Sequence, residues 1–232
     1  MNNLETLYSL RGISNAGMRK LSGAHFDRER IETFLVGPGR PPESTVIIEN
    51  CTFTQCVIDG VFLIAPGTLV SNTIFDRVRS ADSMTISSEA ILSEVVVKGG
   101  RTSTGLWVKP WQFNDVKDGE AVRRWAESTR DIIPLMLDFY EFEGKHVEVL
   151  GLPLRKLRWN PERHVGLTTE RFSNFAWDAA QFPRDSFWRL CVKRLQTFKV
   201  SEGVFALPRA NDKRYEQAMR EMSVLAQAGL FD

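Results

Sequence analysis

The chain has 232 residues, 43% of them hydrophobic, and a formal net charge of +1 at neutral pH. This composition is that of a globular protein with one or two cores, and the near-zero charge excludes a global attraction to nucleic acid or anionic membranes. No run approaches the roughly 18 apolar residues of a membrane span, and the first residues lack the pattern of a signal peptide, so we expect a cytoplasmic protein.

Residues 1–42 are predicted to form an N-terminal helical cap. Phe26, Arg30, Ile31 and Phe34 are spaced as on one face of a short amphipathic helix. The run Gly37–Pro42 ends that helix, because proline and glycine interrupt it. The same run is not a phosphate-binding loop, since it lacks the Gly-Lys-Ser/Thr ending.

In residues 43–100, apolar residues recur at every fifth position. They form two sets of positions, and the second set lies two residues after the first. The first set is Val46, Cys51, Cys56 and Val61, and the second is Ile48, Phe53, Ile58 and Leu63. This period fits neither a helix nor an ordinary strand. It is typical of a β-solenoid, in which each quintet forms one side of a square coil and the marked residues stack inside. We predict a short solenoid of two to three coils, with a plain antiparallel sheet as the alternative.

Two consecutive quintets resemble those of pentapeptide-repeat proteins. They are Cys51-Thr52-Phe53-Thr54-Gln55 and Cys56-Val57-Ile58-Asp59-Gly60, each with a small residue two positions before a large apolar one. The resemblance implies a β-solenoid fold for this segment. Stretches of this kind also occur in bacterial immunity proteins that neutralise toxins, which implies a protein-binding role.

The three cysteines do not form a disulfide framework, because their number is odd. Cys51 and Cys56 lie at inward positions of the predicted coil, where a small apolar side chain packs well, and Cys191 lies far away in sequence. We expect free core thiols in a reducing cytosol, rather than metal ligands or redox centres. No metal or cofactor is predicted.

Acidic residues exceed basic ones by seven to three between positions 43 and 100. We take four of these acids as a candidate surface for a basic protein partner: Glu49, Asp59, Asp76 and Asp82. Asp59 follows the inward Ile58 and is expected to point outward. The alternative is an ordinary solvated surface.

Residues 101–118 are predicted to be a connector. Trp107 and Trp111 flank Pro110 in it. We expect the two rings to pin the connector onto a core, with a ligand platform as the alternative.

Residues 119–232 are predicted to form a mixed α/β domain. Glu143-Gly144 indicates a hairpin between extended runs at 135–142 and 146–150. Helices are predicted after Asp118, after Pro183-Arg184-Asp185-Ser186 and from Asp212 to Ala228, where Gly229 ends the last one. Phe187, Cys191, Leu195 and Phe198 form the inward face of the second helix, and Arg189, Lys193 and Arg194 its outward face.

A basic run containing Arg155, Arg158 and Arg163 alternates with apolar and aromatic residues. Such a run is typical of a surface for nucleic acid or for an acidic protein, and also of plain solvated charge.

His164 is the best candidate for a general base, because it lies in a loop sequence beside Glu162 and Arg163. Glu141 and Glu143 share one face of a predicted strand and could carry out acid/base work or bind a cation. For both sites the structural alternative is an ordinary core or surface residue. The histidines are scattered and the cysteines lack zinc spacing, so no metal centre is predicted.

The sequence contains no nucleophile elbow and no dinucleotide fingerprint. The leading hypothesis is therefore a non-enzymatic protein-binding protein of α+β class, specifically a bacterial immunity-type protein. The first alternative is a hydrolase or transferase with a site lined by Trp107, Trp111, Glu141, Arg158 and His164. The second is a nucleic-acid-associated protein that uses the run from Arg155 to Arg163.

Overall fold

The computed structural model describes residues 3–11, 17–41, 44–100 and 104–230. The helices are α1 (Asn3–Ser9), α2 (Val116–Arg130), α3 (Thr169–Phe172), α4 (Phe187–Phe198) and α5 (Tyr215–Gln227), with a 3-10 turn at Leu154–Lys156. Within the described ranges, no helix combines the length and the apolar character needed to cross a membrane. Short β-strands make up the rest of the regular structure, so the chain is a mixed α+β protein.

The first twelve strands come in successive groups of four. They are β1–β4 (Gly17–Ser22, His25–Asp27, Arg30–Ile31, Phe34–Val36), β5–β8 (Ser44–Glu49, Thr52–Thr54, Val57–Ile58, Phe62–Ile64) and β9–β12 (Thr68–Ser71, Ile74–Asp76, Arg79–Ser80, Met84–Ser87). The later strands are β13 (Ile91–Ser93), β14 (Val95–Lys98), β15 (Gly105–Lys109), β16 (Leu137–Asp138), β17 (His146–Leu150), β18 (Leu157–Arg158), β19 (His164–Thr168) and β20 (Glu202–Ala206).

Equivalent strands of successive groups pair side by side in four sheets. The orders are β1-β5-β9-β13, β18-β16-β14-β10-β6-β2, β11-β7-β3 and β19-β20-β17-β15-β12-β8-β4. Every strand pair from β1 to β18 is parallel, and only β20 pairs antiparallel, with β17 and β19. The antiparallel alternative for residues 43–100 is therefore wrong. The stacked parallel sheets are compatible with a solenoid-like repeat.

The register is regular. Thr52 lies opposite Ile74 and Ile74 opposite Val96, so two successive returns to the same sheet take 22 residues each. The next return, from Val96 to Asp138, takes 42 residues because helix α2 lies within it, and the last, to Arg158, takes 20. The first return takes 27 residues, from His25 to Thr52, because the connection from Val36 to Ser44 is longer than the equivalent one from Ile64 to Thr68.

Corners between the sheets are formed by residues with left-handed backbone conformation. Asn50, Asn72 and Glu94 occupy one corner in successive turns of the chain, with φ between 44° and 53°, and Gln55 and Arg77 occupy the next. Each donates its backbone N–H to the next turn, as from Asn50 to Ser71 at 3.1 Å and from Gln55 to Asp76 at 2.8 Å. These bonds satisfy the polar backbone where the ladder bends.

The interior holds two columns of stacked phenylalanines. Phe26, Phe53 and Phe75 stack with centroid distances of 4.7 and 5.1 Å, and Phe34 stacks on Phe62 at 4.5 Å. Phe34 also meets Phe53 edge to face at 5.2 Å, so the two columns interlock. Parallel pairing in register places identical side chains above one another, which gives these rings their offset-stacked geometry.

The predicted five-residue period holds for its first three quintets and fails in the fourth. Val46, Cys51, Cys56, Ile48, Phe53 and Ile58 are all buried. Val61 is instead 56% exposed and Leu63 only half-buried, while Phe62 and Ile64 face the core. Phe62 follows Ile58 by four residues rather than five. The side chains that point into the core therefore shift by one position, from Leu63 to Phe62.

The amphipathic helix predicted around Phe26–Phe34 is wrong. Phe26 lies in β2, Ile31 in β3 and Phe34 in β4, and each pairs with the turn of chain above it. Their spacing of five and three residues imitates a helical face, but it comes from the corners between the strands. A helix does cover this end of the stack, formed by α1 near the N-terminus, with Leu7 buried.

The hairpin predicted around Glu143-Gly144 is also wrong. β16 joins the six-stranded sheet beside β14, and β17 joins the seven-stranded sheet beside β15. Both strands continue the parallel ladders beyond the predicted 43–100 interval. A Cβ at Gly144 would come within 2.2 Å of the Thr104 carbonyl oxygen, so glycine permits the close passage of the chain here.

The predicted helices of the C-terminal region are confirmed, with one different cap. Asp115, not Asp118, caps α2 by accepting N–H bonds from Lys117 at 2.7 Å and Asp118 at 3.2 Å. Ser186 caps α4, and Gly229 ends the last helix with φ of +71°. Helices α4 and α5 build a second core with β19 and β20 around fully buried Trp188, whose indole donates to the Ala218 carbonyl at 2.9 Å.

Candidate interaction surfaces

His164 does not have the surroundings of a catalytic base. It lies in β19 with 3% of its surface exposed and packs edge to face against Phe139 at 5.4 Å. Burial lowers the pKa of its imidazole to about 4, so the ring is neutral at physiological pH. Glu141 is exposed on the surface and lines a groove that His164 does not enter. Trp107 and Glu141 line different cavities, and His164 lines neither of them.

The outer face of the six-stranded sheet is a candidate interaction surface. Alternate residues of each strand point away from the core. One outward column is His25, Thr52, Ile74, Val96, Asp138 and Arg158. Six strands at about 4.8 Å spacing give a surface roughly 24 Å wide. Helix α2 packs against β13, and α4 against β19 and β20, so these helices cover other parts of the molecule.

A groove of about 490 Å³ runs along one rim of this face and is called the corner groove below. Its polar lining includes Asp76, Lys98, Tyr140, Glu141 and Arg163. Tyr140 is 40% exposed, and the guanidinium of neighbouring Arg158 lies 5.1 Å from its ring centroid. The fold thus brings Asp76 from the acidic segment close to the distant basic run, which the sequence alone did not predict.

The four predicted acids are dispersed, and three of them are paired. Glu49 binds Lys20 at 2.7 Å, Asp59 binds Arg30 at 2.6 Å and Asp76 binds Arg77 at 2.9 Å. The hydrogen bond from Lys20 lowers the pKa of Glu49, which therefore stays charged. Asp82 is exposed and its carboxylate accepts the N–H of Ser83 at 2.9 Å.

The acidic excess is also smaller than the sequence analysis implied. The turn at 17–41, which was assigned to a cap, belongs to the same stack and carries five basic residues against three acidic ones. It therefore compensates about half of the imbalance between positions 43 and 100.

The basic run divides among separate environments. Arg155 is exposed in the 3-10 turn, whereas Lys156 is buried and donates to the Arg130 carbonyl and, at 3.0 Å, to the Asp131 carbonyl at the end of α2. Arg158 pairs with Asp138 at 3.0 Å. Only Arg163 lines the corner groove, so the run is not a continuous basic strip.

A second concavity, called the C-terminal cleft below, was not predicted from the sequence. It has a volume of about 570 Å³ and lies between the outward face of β15, β17 and β20, the helix α4 and the segment 207–214. Trp107 lines it and is 38% exposed, so this ring does not pin a connector onto a core. Trp107 was the one residue in the sequence that indicated a binding site here. The cleft could not be predicted from it, because the other lining residues come from distant segments of the chain.

The cysteines and acidic groups suggest no metal centre in the described residues, where no cluster of three or more His, Cys, Asp or Glu side chains could hold an ion. Cys51, Cys56 and Cys191 are free and buried. Burial raises the pKa of each thiol, most strongly for Cys191. These thiols are therefore protonated and unreactive at neutral pH.

A scan against protein-family models, a search of curated proteins and a search of solved structures each found no match for the chain.

Proposed function

We propose that this chain is a protein-binding protein without catalytic activity, and that its partner docks on the outer face of the six-stranded sheet and in the corner groove. The observation that carries the proposal is the meeting of Asp76, Arg158 and Arg163 with exposed Tyr140 along one rim. Tyrosine and arginine are enriched among the residues that dominate binding energies at protein interfaces.

The scaffold supports this role because it is rigid before binding. Corner hydrogen bonds from Asn50, Gln55 and their equivalents tie each turn of the chain to the next. A surface that is already ordered loses little conformational entropy when a partner binds. We propose that these turns form a short, pentapeptide-like β-solenoid, supported by the 22-residue parallel register and by the stacked phenylalanines.

Within the protein-binding class, we propose a cytoplasmic bacterial immunity protein that neutralises a cognate toxin by covering it. The resemblance of the two cysteine quintets supports this assignment, together with a preformed surface wide enough to occlude another protein. A specific interface of standard size buries about 800 Å² on each partner, so the partner must also cover the corner groove and the neighbouring corners of the stack.

The geometry does not favour the hydrolase or transferase alternative. That alternative needs His164 to reach a substrate together with Glu141, whereas the imidazole is buried beside Phe139. The nucleic-acid alternative needs a continuous basic surface, whereas Lys156 is buried and Arg158 is paired with Asp138.

The test uses the product of the gene adjacent to this one as the candidate partner. Binding is measured by calorimetry for the native chain and for a variant with Tyr140→Ala and Arg163→Glu. We expect the variant to bind at least roughly tenfold more weakly, as for the loss of central interface residues.

The matched control is Arg79→Glu, which makes the same charge change on the exposed side of the three-stranded sheet. The control is expected to bind like the native chain. Equal binding by all three proteins would reject the corner groove as the interface, and the absence of binding by the native chain would reject this partner and the immunity assignment.

A further inference from the structure

The C-terminal cleft has a chemistry different from that of the six-stranded face, and it does not depend on the function proposed for that face. Its floor is a row of side chains across three paired strands, since Trp107 lies opposite Glu148 and Glu148 opposite Phe205. Helix α4 forms one wall with Leu190 and Arg194, and the segment 207–214 forms the other.

The floor and the helix wall are joined by a bidentate ion pair. Arg194 donates from Nη2 and Nε to the two carboxylate oxygens of Glu148, at 2.5 and 3.0 Å. The same guanidinium lies 4.8 Å from the Phe198 ring centroid. Two-point pairing fixes the orientation of the guanidinium, while its Nη1 makes no hydrogen bond within the described residues and remains available to a ligand.

The opposite wall is also ordered without a ligand. Arg209 donates to the Glu143 carbonyl at 2.7 Å, which anchors the segment to the corner before β17. Asp212 accepts the backbone N–H of Arg214 at 2.9 Å, and this bond lowers the pKa of the carboxylate. Arg214 lies 3.5 Å from Asp212 and keeps half of its side-chain surface exposed.

Charge and apolar surface are both concentrated in this cleft. Four basic side chains line it, against two carboxylates. The basic residues are Lys145, Arg194, Arg209 and Arg214, and the carboxylates are Glu148 and Asp212. Among the described residues, Lys145 makes no ion pair, and Leu190 exposes 38% of its surface beside Phe187. A positive rim around an apolar wall complements an acidic segment that carries an apolar side chain.

We propose that the C-terminal cleft binds an extended acidic peptide segment of a partner protein. The carboxylates of the segment pair with Arg209, Arg214 and the free edge of Arg194. One apolar side chain of the segment packs between Trp107 and Leu190. The volume of about 570 Å³ lies within the range of roughly 300–1,000 Å³ that ligand sites occupy.

The test selects peptides from a random twelve-residue display library against the immobilised full chain. We expect enrichment of sequences with two or more Asp or Glu residues near a Leu, Ile or Phe. A selected peptide should bind the Arg209→Gln, Arg214→Gln double variant at least roughly tenfold more weakly than the native chain, and its affinity should fall with added salt.

The matched control is the Arg184→Gln, Lys193→Gln double variant, which removes two positive charges from exposed positions outside the lining of the cleft. It should bind the selected peptide like the native chain. The charge-reversed variant with Arg209→Glu and Arg214→Glu should instead select peptides rich in Lys and Arg. Circular dichroism spectra confirm that each variant is folded.

Three results would overturn the proposal. The first is selection of peptides without an excess of acidic residues, and the second is equal binding by the native chain and the Arg209, Arg214 variant. The third is an equal loss of binding in the Arg184, Lys193 control, which would show a general charge effect. None of these results bears on the six-stranded face, whose test uses different residues.

Discussion

The carboxylate of Glu89 accepts the backbone N–H of Trp111 at 3.0 Å, although Glu89 has only 5% of its surface exposed. The same oxygen accepts the hydroxyl of Ser87 at 2.7 Å, and Arg123 of helix α2 lies 3.7 Å from the other carboxylate oxygen. Glu89 therefore connects the corner after β12 with the segment that enters α2.

Replacement of Glu89 by alanine is expected to lower the free energy of unfolding by about 2–4 kcal/mol, because it leaves buried donors without an acceptor. Chemical denaturation measures the change. Glu120→Ala removes an exposed carboxylate from α2 and should stay within about 0.5 kcal/mol of the native chain. Similar values for the two variants would show that Glu89 does not hold α2 in place.

Two substitutions by alanine test which side chains of the stack point into the core. Ile58→Ala removes a buried side chain and is expected to cost about 2–4 kcal/mol through the cavity that it leaves. Val61→Ala changes a side chain that is 56% exposed and should cost less than about 0.5 kcal/mol. Urea titration of both variants distinguishes the structure from the five-residue period, which predicts a large loss for Val61 as well.

The three thiols should resist labelling in the native protein. Cys51 and Cys56 are buried, with their Sγ atoms 3.2 Å from the Glu49 carbonyl oxygen and 3.5 Å from the Phe26 carbonyl oxygen, respectively. Burial raises their pKa values, so the reactive thiolate is scarce. An aromatic disulfide reagent should react with all three cysteines only after denaturation. Rapid reaction of two thiols in folded protein would contradict the packing of this core.

Stability should fall as the pH decreases from about 6.5 to 4. His164 has a pKa of about 4 in the folded chain, against about 6.5 when unfolded, so protonation favours the unfolded state in this window. The full difference corresponds to roughly 3 kcal/mol. His164→Leu removes this contribution and should flatten the pH dependence of the urea midpoint between these values. An unchanged slope in the variant would locate the responsible group elsewhere.

The inward positions from Val46 to Ile58 could be predicted from the sequence because each has an apolar residue at a constant spacing of five. The turn at 17–41 could not, because its corners have different lengths and the spacing of Phe26, Ile31 and Phe34 imitates a helix. A five-residue period is visible only where corners of equal length follow one another.

The candidate surfaces were less predictable, because each joins residues far apart in the chain. Asp76 and Arg163 line one groove because β10, which carries Asp76, and β18, which precedes Arg163, belong to one sheet. The strand β16, which lies beside β18 in that sheet, was assigned to a hairpin. Arg194 was placed correctly on the outer side of its helix, but its partner Glu148 follows from the packing of α4 on the sheet. Charge patterns along the sequence do not report such pairs.

The 22-residue step gives the molecule an adjustable length. Within the described residues from 44 to 98, each turn bonds to the turns before and after it, so insertion of a copy of residues 52–73 would preserve the inward positions and corners of this part. Such an insertion would lengthen the stack by one strand spacing, about 4.8 Å. It would move α1 away from the C-terminal cleft without altering either one. Successive insertions would therefore measure how far apart α1 and the C-terminal cleft can lie before a partner that contacts both no longer binds.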